Sequence, residues 1–241
     1  MFQINTSRHP DKLSAQSNLE ILLTQLKNNI NVTWLLAGGS AIKVYTEMND
    51  LLDSKMDLTK LNISLGDERY SKDPEHKDAT WPIYEKLKLF SELSKRGANI
   101  FEILSGQSLE KDAERFDNFL RDRLRQSDFI LCNLGMGTDC HTAGIIPLDD
   151  KKLFHQVYPE NRLAVGHNHG GAHPKRITIT PSFIKKANKI TVYMTGAEKR
   201  PALEKLITFK ELEKMQDSIY KYPALITSLM SAEVFTDQKL S

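Results

Sequence analysis

The sequence of 241 residues contains little cysteine and no marked excess of charge of either sign. Its two cysteines, Cys132 and Cys140, stand in an apolar run and in a glycine-rich turn, which fits neither a disulfide framework nor a zinc site. This usage is typical of a reducing compartment. Lysine and arginine total 33 against 31 acidic residues, and this near-balance argues against a nucleic-acid partner.

Long hydrophobic runs are missing as well. No apolar stretch approaches the roughly 18 residues that a membrane-spanning helix needs, so no membrane partner is expected. The opening residues, MFQINTSRHPDKLS, lack the basic and then apolar pattern of a signal peptide, and we therefore expect a cytoplasmic protein. The sequence also lacks GxSxG, CxxC, HExxH and the nucleotide P-loop, which disfavours the chemistries that depend on those motifs.

Short apolar runs alternate with longer amphipathic segments along the chain. Strands are predicted at residues 32–37, 62–66, 98–104, 127–135, 163–168, 176–180, 188–195 and 233–237. Helices are predicted at residues 14–29 (with Ser14 as the cap), 41–52, 81–95, 109–125, 181–187, 197–207 and 221–230. Such alternation predicts parallel βαβ units. We therefore expect an α/β fold, a single-domain three-layer sandwich over residues 1–241 with a mainly parallel sheet flanked by helices.

The ligands of open α/β sheets bind beyond the carboxyl ends of the strands. The strand predicted at residues 127–135 ends in the segment LGMGTDCHTAGIIP, where a glycine turn presents Asp139 and His141. A histidine side chain has an ordinary pKa of about 6.5 and can accept a proton at cellular pH, and Asp139 can orient it. A histidine satisfied inside a packed loop is the alternative, but this position favours a catalytic base. Cys140 is disfavoured as a nucleophile, because adjacent residues in a turn rarely face each other.

Three further strand ends carry groups that suit an anion. The glycine turn at residues 38–40 can expose backbone N–H groups at the start of a helix, which favours phosphate, although two glycines also make a tight turn without a ligand. Arg69, in the charge cluster at residues 67–69, can hold an anion with two hydrogen bonds, and a solvated loop is the alternative there. Lys199 stands in the first turn of its predicted helix, where a cation is unfavourable unless an anion binds. Arg176 can reach the same anion or face solvent.

Three histidines, His167, His169 and His173, crowd the segment GHNHGGAHPKR. A histidine-x-histidine pair can bind zinc, but no matching acid or cysteine stands nearby, so no metal is expected. The glycines and Pro174 instead favour a mobile loop beside the site, which suits a lid over a substrate.

The motifs LLAGGSAIKVY, ISLGDERY, LGMGTDCHTAGIIP, RITIT and YMTGAEK, which span residues 35–199, resemble those of the 6-phosphogluconolactonases. These enzymes belong to a wider family that includes the glucosamine-6-phosphate deaminases. The resemblance implies a single α/β domain that uses no cofactor and hydrolyses a small sugar phosphate, 6-phosphogluconolactone, in the pentose phosphate pathway. It implies His141 as the general base and Asp139 as the acid of its loop. The substrate-binding residues that it implies are Gly38, Gly39, Ser40, Asp67, Arg69, Arg176 and Lys199.

The lactonase and deaminase branches differ in chemistry. Deaminases resemble GxDGHIAFNEP in this region, with a glutamate before the proline that serves ring opening, and this chain has Ile146 there. A lactonase needs only a base for water and donors for the carbonyl oxygen, and the residues present fit that smaller set. A glucosamine-6-phosphate deaminase or isomerase and a non-catalytic sugar-phosphate-binding protein remain alternatives. The chain is expected to be a monomer or a homodimer.

The chain departs from the usual lactonase patterns GGSTP, GPDGH and Ser-Asn. The departures are Ala41 and Ile42, Thr138 and Cys140, and Ala79 and Thr80, respectively. Cysteine strains its loop if the glycine that it replaces takes a left-handed conformation. These departures leave room for an altered substrate preference or weak activity.

Overall fold

A seven-stranded sheet, called here the main sheet, forms the centre of the protein. The computed structural model describes residues 3–48, 55–170, 173–209, 211–230 and 232–239. In spatial order the strands are β1 (Gln3–Thr6), β10 (Ala232–Thr236), β9 (Lys189–Met194), β6 (Phe129–Gly135), β2 (Val32–Leu36), β3 (Leu61–Leu65) and β5 (Asn99–Phe101). Every neighbouring pair is parallel, so the carboxyl ends of the strands share one edge.

Helices flank the main sheet. They are α1 (Pro10–Lys27), α2 (Ile42–Thr46), α3 (Trp81–Glu85), α4 (Lys88–Lys95), α5 (Leu109–Gln126), α6 (Lys151–Val157), α7 (Pro181–Ile184), α8 (Arg200–Thr208), α9 (Leu212–Ser218) and α10 (Leu225–Leu229). Short 3₁₀ turns at Gly39–Ala41 and Ala197–Lys199 precede α2 and α8. Strands β2 and β3 are buried along their whole length, as parallel strands covered on both faces should be. This mostly parallel sheet flanked by helices confirms the predicted α/β fold. Across the described ranges, none of the helices combines the length and the apolar character that crossing a membrane requires.

A second sheet, called here the small sheet, begins directly after β3. Its strands β4 (Asp67–Arg69), β8 (Lys175–Ile179) and β7 (Ala164–Asn168) are antiparallel, with β8 in the middle. Helix α5 packs against β7 and β8. The charge cluster at residues 67–69 is therefore a strand and not a solvated loop, and its central residue, Glu68, is only 2% exposed.

Element boundaries differ from the prediction where local contacts decide them. Helix α1 begins at Pro10, whose fixed φ suits a first turn, so Ser14 is buried inside the helix and does not cap it. The helix predicted at residues 81–95 is two helices, because Leu87 takes an extended backbone between them. After this break Phe90 stacks on Tyr84 in the core.

Some predicted and observed elements do not correspond. Helix α2 accounts for only the start of the helix predicted at residues 41–52, and residues 49–52 lie outside the described residues. The helix predicted at residues 221–230 is reduced to α10. Strand β1 and helix α9 are short and mostly polar, so their sequences carry too little apolar periodicity to predict them.

Candidate active site

A cleft of about 350 Å³ opens at the carboxyl ends of β2 and β6 and reaches the small sheet. It brings together most of the site residues predicted from the sequence. Those that line it are Gly38, Gly39, Ser40, Asp67, Arg69, His141, Arg176 and Lys199. Asp139 does not line the cleft but holds the ring of His141. Segments that are far apart in sequence meet here because the strands that precede them end at one edge of the sheet.

His141 and Asp139 form a close pair. The imidazole Nδ1 lies 2.6 Å from Asp139 Oδ1, and the backbone N–H of His141 donates to the same oxygen at 3.0 Å. The hydrogen bond from the imidazole holds the pKa of the Asp139 carboxyl below its usual range. Since Nδ1 is bound to the carboxylate, Nε2 is the ring nitrogen that remains to exchange a proton with a ligand.

Gly137 determines where the imidazole of His141 can lie. A Cβ atom at Gly137 would stand 2.2 Å from both Cε1 and Nδ1 of His141, so the ring rests directly on the glycine backbone. The turn is closed by hydrogen bonds from the Gly137 N–H to the His141 carbonyl at 3.0 Å and from the Cys140 N–H to the Gly137 carbonyl at 3.1 Å. The absence of a side chain at Gly137 is therefore a condition of this geometry.

Cys140 takes the left-handed conformation in which a cysteine strains its loop. Its φ is +67°, and the nearby Ala143 has φ of +47°. The Cys140 side chain is buried and does not line the cleft, and burial raises the pKa of its thiol. The Cys140 carbonyl accepts a hydrogen bond from the Ala224 N–H at 2.9 Å. The thiol therefore packs into the core, away from the position that a nucleophile would need.

The small sheet places two arginines opposite each other. Arg69 on β4 and Arg176 on β8 are paired residues of the antiparallel ladder. Arg176 Nη1 contacts Asp67 Oδ2 at 2.9 Å and its Nε donates to the His173 carbonyl at 3.2 Å, while Arg69 Nη1 donates to the Asp78 carbonyl at 3.2 Å. Like charges directly opposite each other are unfavourable in a sheet. An anion in the cleft would offset this repulsion.

Lys199 and the glycine turn complete the cationic side of the cleft. Lys199 occupies the N-cap position of α8, and burial lowers the pKa of its ammonium group. The loop before it is anchored by the Gly196 N–H, which donates to the Asp237 carboxylate at 3.1 and 3.2 Å. Gly39, in the turn after β2, has φ of +62°. A side chain would be strained at Gly39, so this position suits a turn that presents its backbone.

Two residues important to the cleft had no role predicted from sequence. Glu68, buried and with its carboxyl pKa raised by burial, accepts hydrogen bonds from the backbone N–H groups of Arg69, Thr80 and Trp81. Glu68 stands between two charged residues, so the sequence did not indicate this role. Only the alternation of side-chain direction along β4 could have indicated that Glu68 points inward. The second residue is Asn133, which lines the cleft, is buried, and like Glu68 holds neighbouring segments together by hydrogen bonds.

The Asn133 amide joins the strands beneath the cleft. Its Nδ2 donates to Asn18 Oδ1 at 2.9 Å and to Thr191 Oγ1 at 2.6 Å, and its Oδ1 accepts from Trp34 Nε1. The network ties α1 and β9 to β2 through one residue of β6. The amide lies inside an otherwise apolar run, DFILCNLG, and a lone asparagine there was the available signal.

The histidine-rich segment is partly a strand. His167 lies on β7 and is only 5% exposed, so for this residue the strand predicted at residues 163–168 is confirmed and the predicted mobile loop is wrong. Its Nε2 is 2.8 Å from the Gly144 carbonyl, its Nδ1 accepts from the His169 N–H at 3.3 Å, and burial lowers its pKa to about 4. His173 Nδ1 lies 3.9 Å from Asp78 Oδ2. Within the described ranges, no cluster of at least three histidine, cysteine or acidic side chains is arranged to hold a metal.

The fold and the cleft together define a class of protein: an α/β protein in which a histidine–aspartate pair shares a cleft with several cationic side chains. Residues 11–230 match the family model for glucosamine-6-phosphate isomerases/6-phosphogluconolactonase. The chain belongs to this family, and the resemblance inferred from its motifs is confirmed.

Several relatives of this chain bear the name 6-phosphogluconolactonase. The one from Nostoc is 28% identical over 198 residues, which cover 77% of this chain and 77% of the relative. The one from Haemophilus influenzae is 27% identical over 207 residues, which cover 84% of this chain and 83% of the relative.

Solved structures share the fold. A 6-phosphogluconolactonase from Shewanella baltica has a TM-score of 0.76 to this chain at 18% identity, with coverage of 98% of this chain and 97% of that one. A 6-phosphogluconolactonase from Plasmodium vivax has a TM-score of 0.77 at 16% identity, with coverage of 100% of this chain and 90% of that one. At these identities the likeness concerns the fold alone.

Proposed function

We propose that this protein hydrolyses 6-phosphogluconolactone to 6-phosphogluconate, a step of the pentose phosphate pathway. The observation that carries the proposal is the shared cleft, in which His141, held by Asp139, stands with Arg69, Arg176 and Lys199. Family membership and the names of the relatives support the same choice. The proposal includes a cytoplasmic location, action as a single domain over residues 1–241, and a monomer or homodimer without cofactor, nucleic-acid or membrane partner.

His141 is the general base in this mechanism. Nε2 takes a proton from a water molecule while the water oxygen attacks the lactone carbonyl carbon, and the same nitrogen then gives a proton to the ring oxygen that leaves. Asp139 accepts a hydrogen bond from the Nδ1–H of the imidazole and stabilises the imidazolium that forms between the two steps. A positioned base of this kind supplies roughly 10²–10⁴-fold in rate.

The carbonyl oxygen gains negative charge during the attack and needs hydrogen-bond donors. We assign these donors to the backbone of residues 135–141. The N–H groups of Gly137, Cys140 and His141 are already used inside the turn. Met136 and Thr138 both line the cleft, and we assign the donor role in this mechanism to their amides.

The cations of the cleft hold the phosphate end of the substrate. Two guanidinium groups and one ammonium group complement a phosphate, and guanidinium forms two parallel hydrogen bonds with it. The turn Gly38-Gly39-Ser40 adds backbone N–H groups. Phosphate is remote from the reacting carbon, so its binding energy serves to place the lactone carbonyl against His141.

The central test is lactone hydrolysis measured against the spontaneous background, with wild type beside His141→Ala. We expect the substitution to lower kcat by about 10²-fold or more, because the base is lost, while 6-phosphogluconate still binds, because the cations remain. Circular dichroism and the melting temperature serve as controls of folding. Unchanged turnover in His141→Ala would remove the residue from the mechanism.

The alternatives give different results in the same preparation. A glucosamine-6-phosphate deaminase would release ammonia from that substrate, although Ile146 stands where the deaminase pattern has a glutamate. A non-catalytic binding protein would gain thermal stability with 6-phosphogluconate but would leave the lactone to spontaneous hydrolysis. The strained Cys140 is the observation that keeps this second alternative open.

A further inference from the structure

Thr80 begins α3 but does not cap it. A threonine at the N-cap position normally turns its hydroxyl onto the N–H groups of the first helical turn. Thr80 makes no such side-chain bond, and its backbone is helical, with φ of −83° and ψ of −40°, where a capping residue is usually extended. The hydroxyl of Thr80 is therefore not committed to the helix.

The Glu68 carboxylate takes over the capping role. It accepts the Thr80 N–H at 2.9 Å through both oxygens and the Trp81 N–H at 2.9 Å. It also accepts the N–H of Arg69 at 2.8 Å. One buried carboxylate thus fixes the backbone of Thr80 and of Arg69 together, so that the two residues have a set position relative to each other.

The side chain that carries this hydroxyl faces the glycine turn in the cleft. Thr80 lines the cleft, and its Oγ1 and Cγ2 lie 3.4 and 3.5 Å from the point that a Cβ atom on Gly38 would occupy. Arg69 Nη1 is bound to the carbonyl of Asp78, two residues before Thr80. Backbone amides, a guanidinium and a hydroxyl are all hydrogen-bond donors, and their convergence suits a ligand group that offers only acceptors.

We propose that the Thr80 hydroxyl is a substrate-binding group that donates a hydrogen bond to the phosphate of the sugar phosphate. This assignment rests on the proposed function, because the phosphate belongs to the substrate named there. It adds a neutral donor to the cationic side chains, held in place by Glu68 through the backbone of Thr80.

Two substitutions separate the hydroxyl from the shape of the side chain. Thr80→Val keeps the branched shape and removes the hydroxyl, and Thr80→Ser keeps the hydroxyl. For Thr80→Val we expect KM for 6-phosphogluconolactone and Kd for 6-phosphogluconate to rise about tenfold, the usual effect of one lost hydrogen bond to a charged group. We expect kcat to stay close to wild type, since the base is untouched, and Thr80→Ser to restore KM and Kd.

Inorganic phosphate is the second probe. If Thr80 contacts the phosphate group, Thr80→Val also weakens the binding of inorganic phosphate, measured by calorimetry. Loss of 6-phosphogluconate affinity with unchanged phosphate affinity would assign the hydroxyl to the sugar and overturn the proposal. Equal defects in Thr80→Ser and Thr80→Val, or no defect in either, would also overturn it. Thr80→Ala replaces Thr80→Val if the valine variant does not fold.

The two proposals fail in distinguishable ways. A wild-type protein without lactonase activity would contradict the proposed function, and the two binding measurements on Thr80→Val would still test whether the hydroxyl contacts phosphate. An active wild type with unaltered Thr80→Val would contradict only the role of Thr80.

Discussion

At the scale of single residues, the turn that carries His141 holds side chains in backbone conformations that favour glycine. Cys140 and Ala143 both have positive φ, and a left-handed backbone costs a residue with a side chain about 1–2 kcal/mol. Such strain persists where surrounding contacts over-determine the conformation. The Cys140 carbonyl is bound by Ala224 and the Gly144 N–H by Thr178 Oγ1, so both sides of the turn are fixed. The result is one defined orientation for His141.

Gly137→Ala tests how closely the imidazole depends on the backbone beneath it. The new methyl group would stand 2.2 Å from two ring atoms of His141 and 2.7 Å from Asp139 Oδ1, so the imidazole and the carboxylate cannot keep their present positions. A displacement of about 1 Å in a catalytic group can cost 10²-fold in rate. We therefore expect kcat to fall by about 10²-fold with little change in KM, because the cations are untouched. Steady-state kinetics on the lactone measure both constants.

The control is the same substitution in the His141→Ala background. If Gly137→Ala acts by moving the imidazole, it has no catalytic base left to displace once the ring is gone, and Asp139 acts only through that ring, so the double variant should match the activity of His141→Ala alone. A further loss in the double variant would show that Gly137 acts through another part of the turn.

At the scale of elements, β4 and β8 present two arginines that differ in their partners. Arg176 is paired with the carboxylate of Asp67, whose side chain is 12% exposed. Arg69 bonds the carbonyl of Asp78 and stands opposite Arg176 in the ladder. Removing Arg176 leaves a nearly buried carboxylate without its cation, whereas removing Arg69 relieves a like-charge contact.

Arg69→Met and Arg176→Met should therefore have similar effects on ligand binding but different effects on the stability of the fold. We expect both to weaken 6-phosphogluconate binding by about tenfold or more. We expect Arg176→Met to lower the free energy of unfolding by about 1–3 kcal/mol, and Arg69→Met to change it by less than about 1 kcal/mol. Urea denaturation without ligand measures stability, and calorimetry measures binding. Equal loss of stability in the two variants would contradict the conclusion that the ion pair of Arg176 with Asp67 stabilises the fold.

At the scale of the whole molecule, the main sheet was predictable because its inner strands are apolar runs buried on both faces. Such runs, separated by helical periodicity, indicate parallel strands without any knowledge of distant contacts. The small sheet was not predictable in the same way. Strand β4 is only Asp67–Arg69, and its strand character depends on pairing with β8, more than a hundred residues later.

The same distinction applies to the cleft. The residues that the sequence indicated follow strand ends or glycine turns, where topology alone brings them to one edge. Glu68 and Thr80 were not predicted because their role depends on a contact between a strand and a loop twelve residues away. Asn133 was missed because its four-element network is visible only once α1, β2, β6 and β9 are packed.

His167 links the small sheet to the segment that follows the turn of His141. It is neutral in the folded protein, with a proton on Nε2 for the Gly144 carbonyl and with Nδ1 accepting from the His169 N–H. Protonation would place a second hydrogen on Nδ1 and break the bond from His169. Burial lowers the pKa of His167 from 6.5 to about 4, and the folded protein resists a proton that the unfolded chain accepts.

For this reason the free energy of unfolding should decrease as the pH decreases. The stability that the neutral His167 contributes to the folded state is fully present above pH 6.5. It is lost progressively as the pH falls to about 4 and does not change further below that value. One pKa unit corresponds to about 1.4 kcal/mol, so the loss is at most roughly 3 kcal/mol. His167→Gln can still donate to the Gly144 carbonyl but does not titrate. In urea denaturation across this range, the difference between wild type and His167→Gln should shrink as the pH falls, while acids such as Asp139 affect both proteins alike. Parallel stability curves for the two proteins would contradict a buried neutral His167.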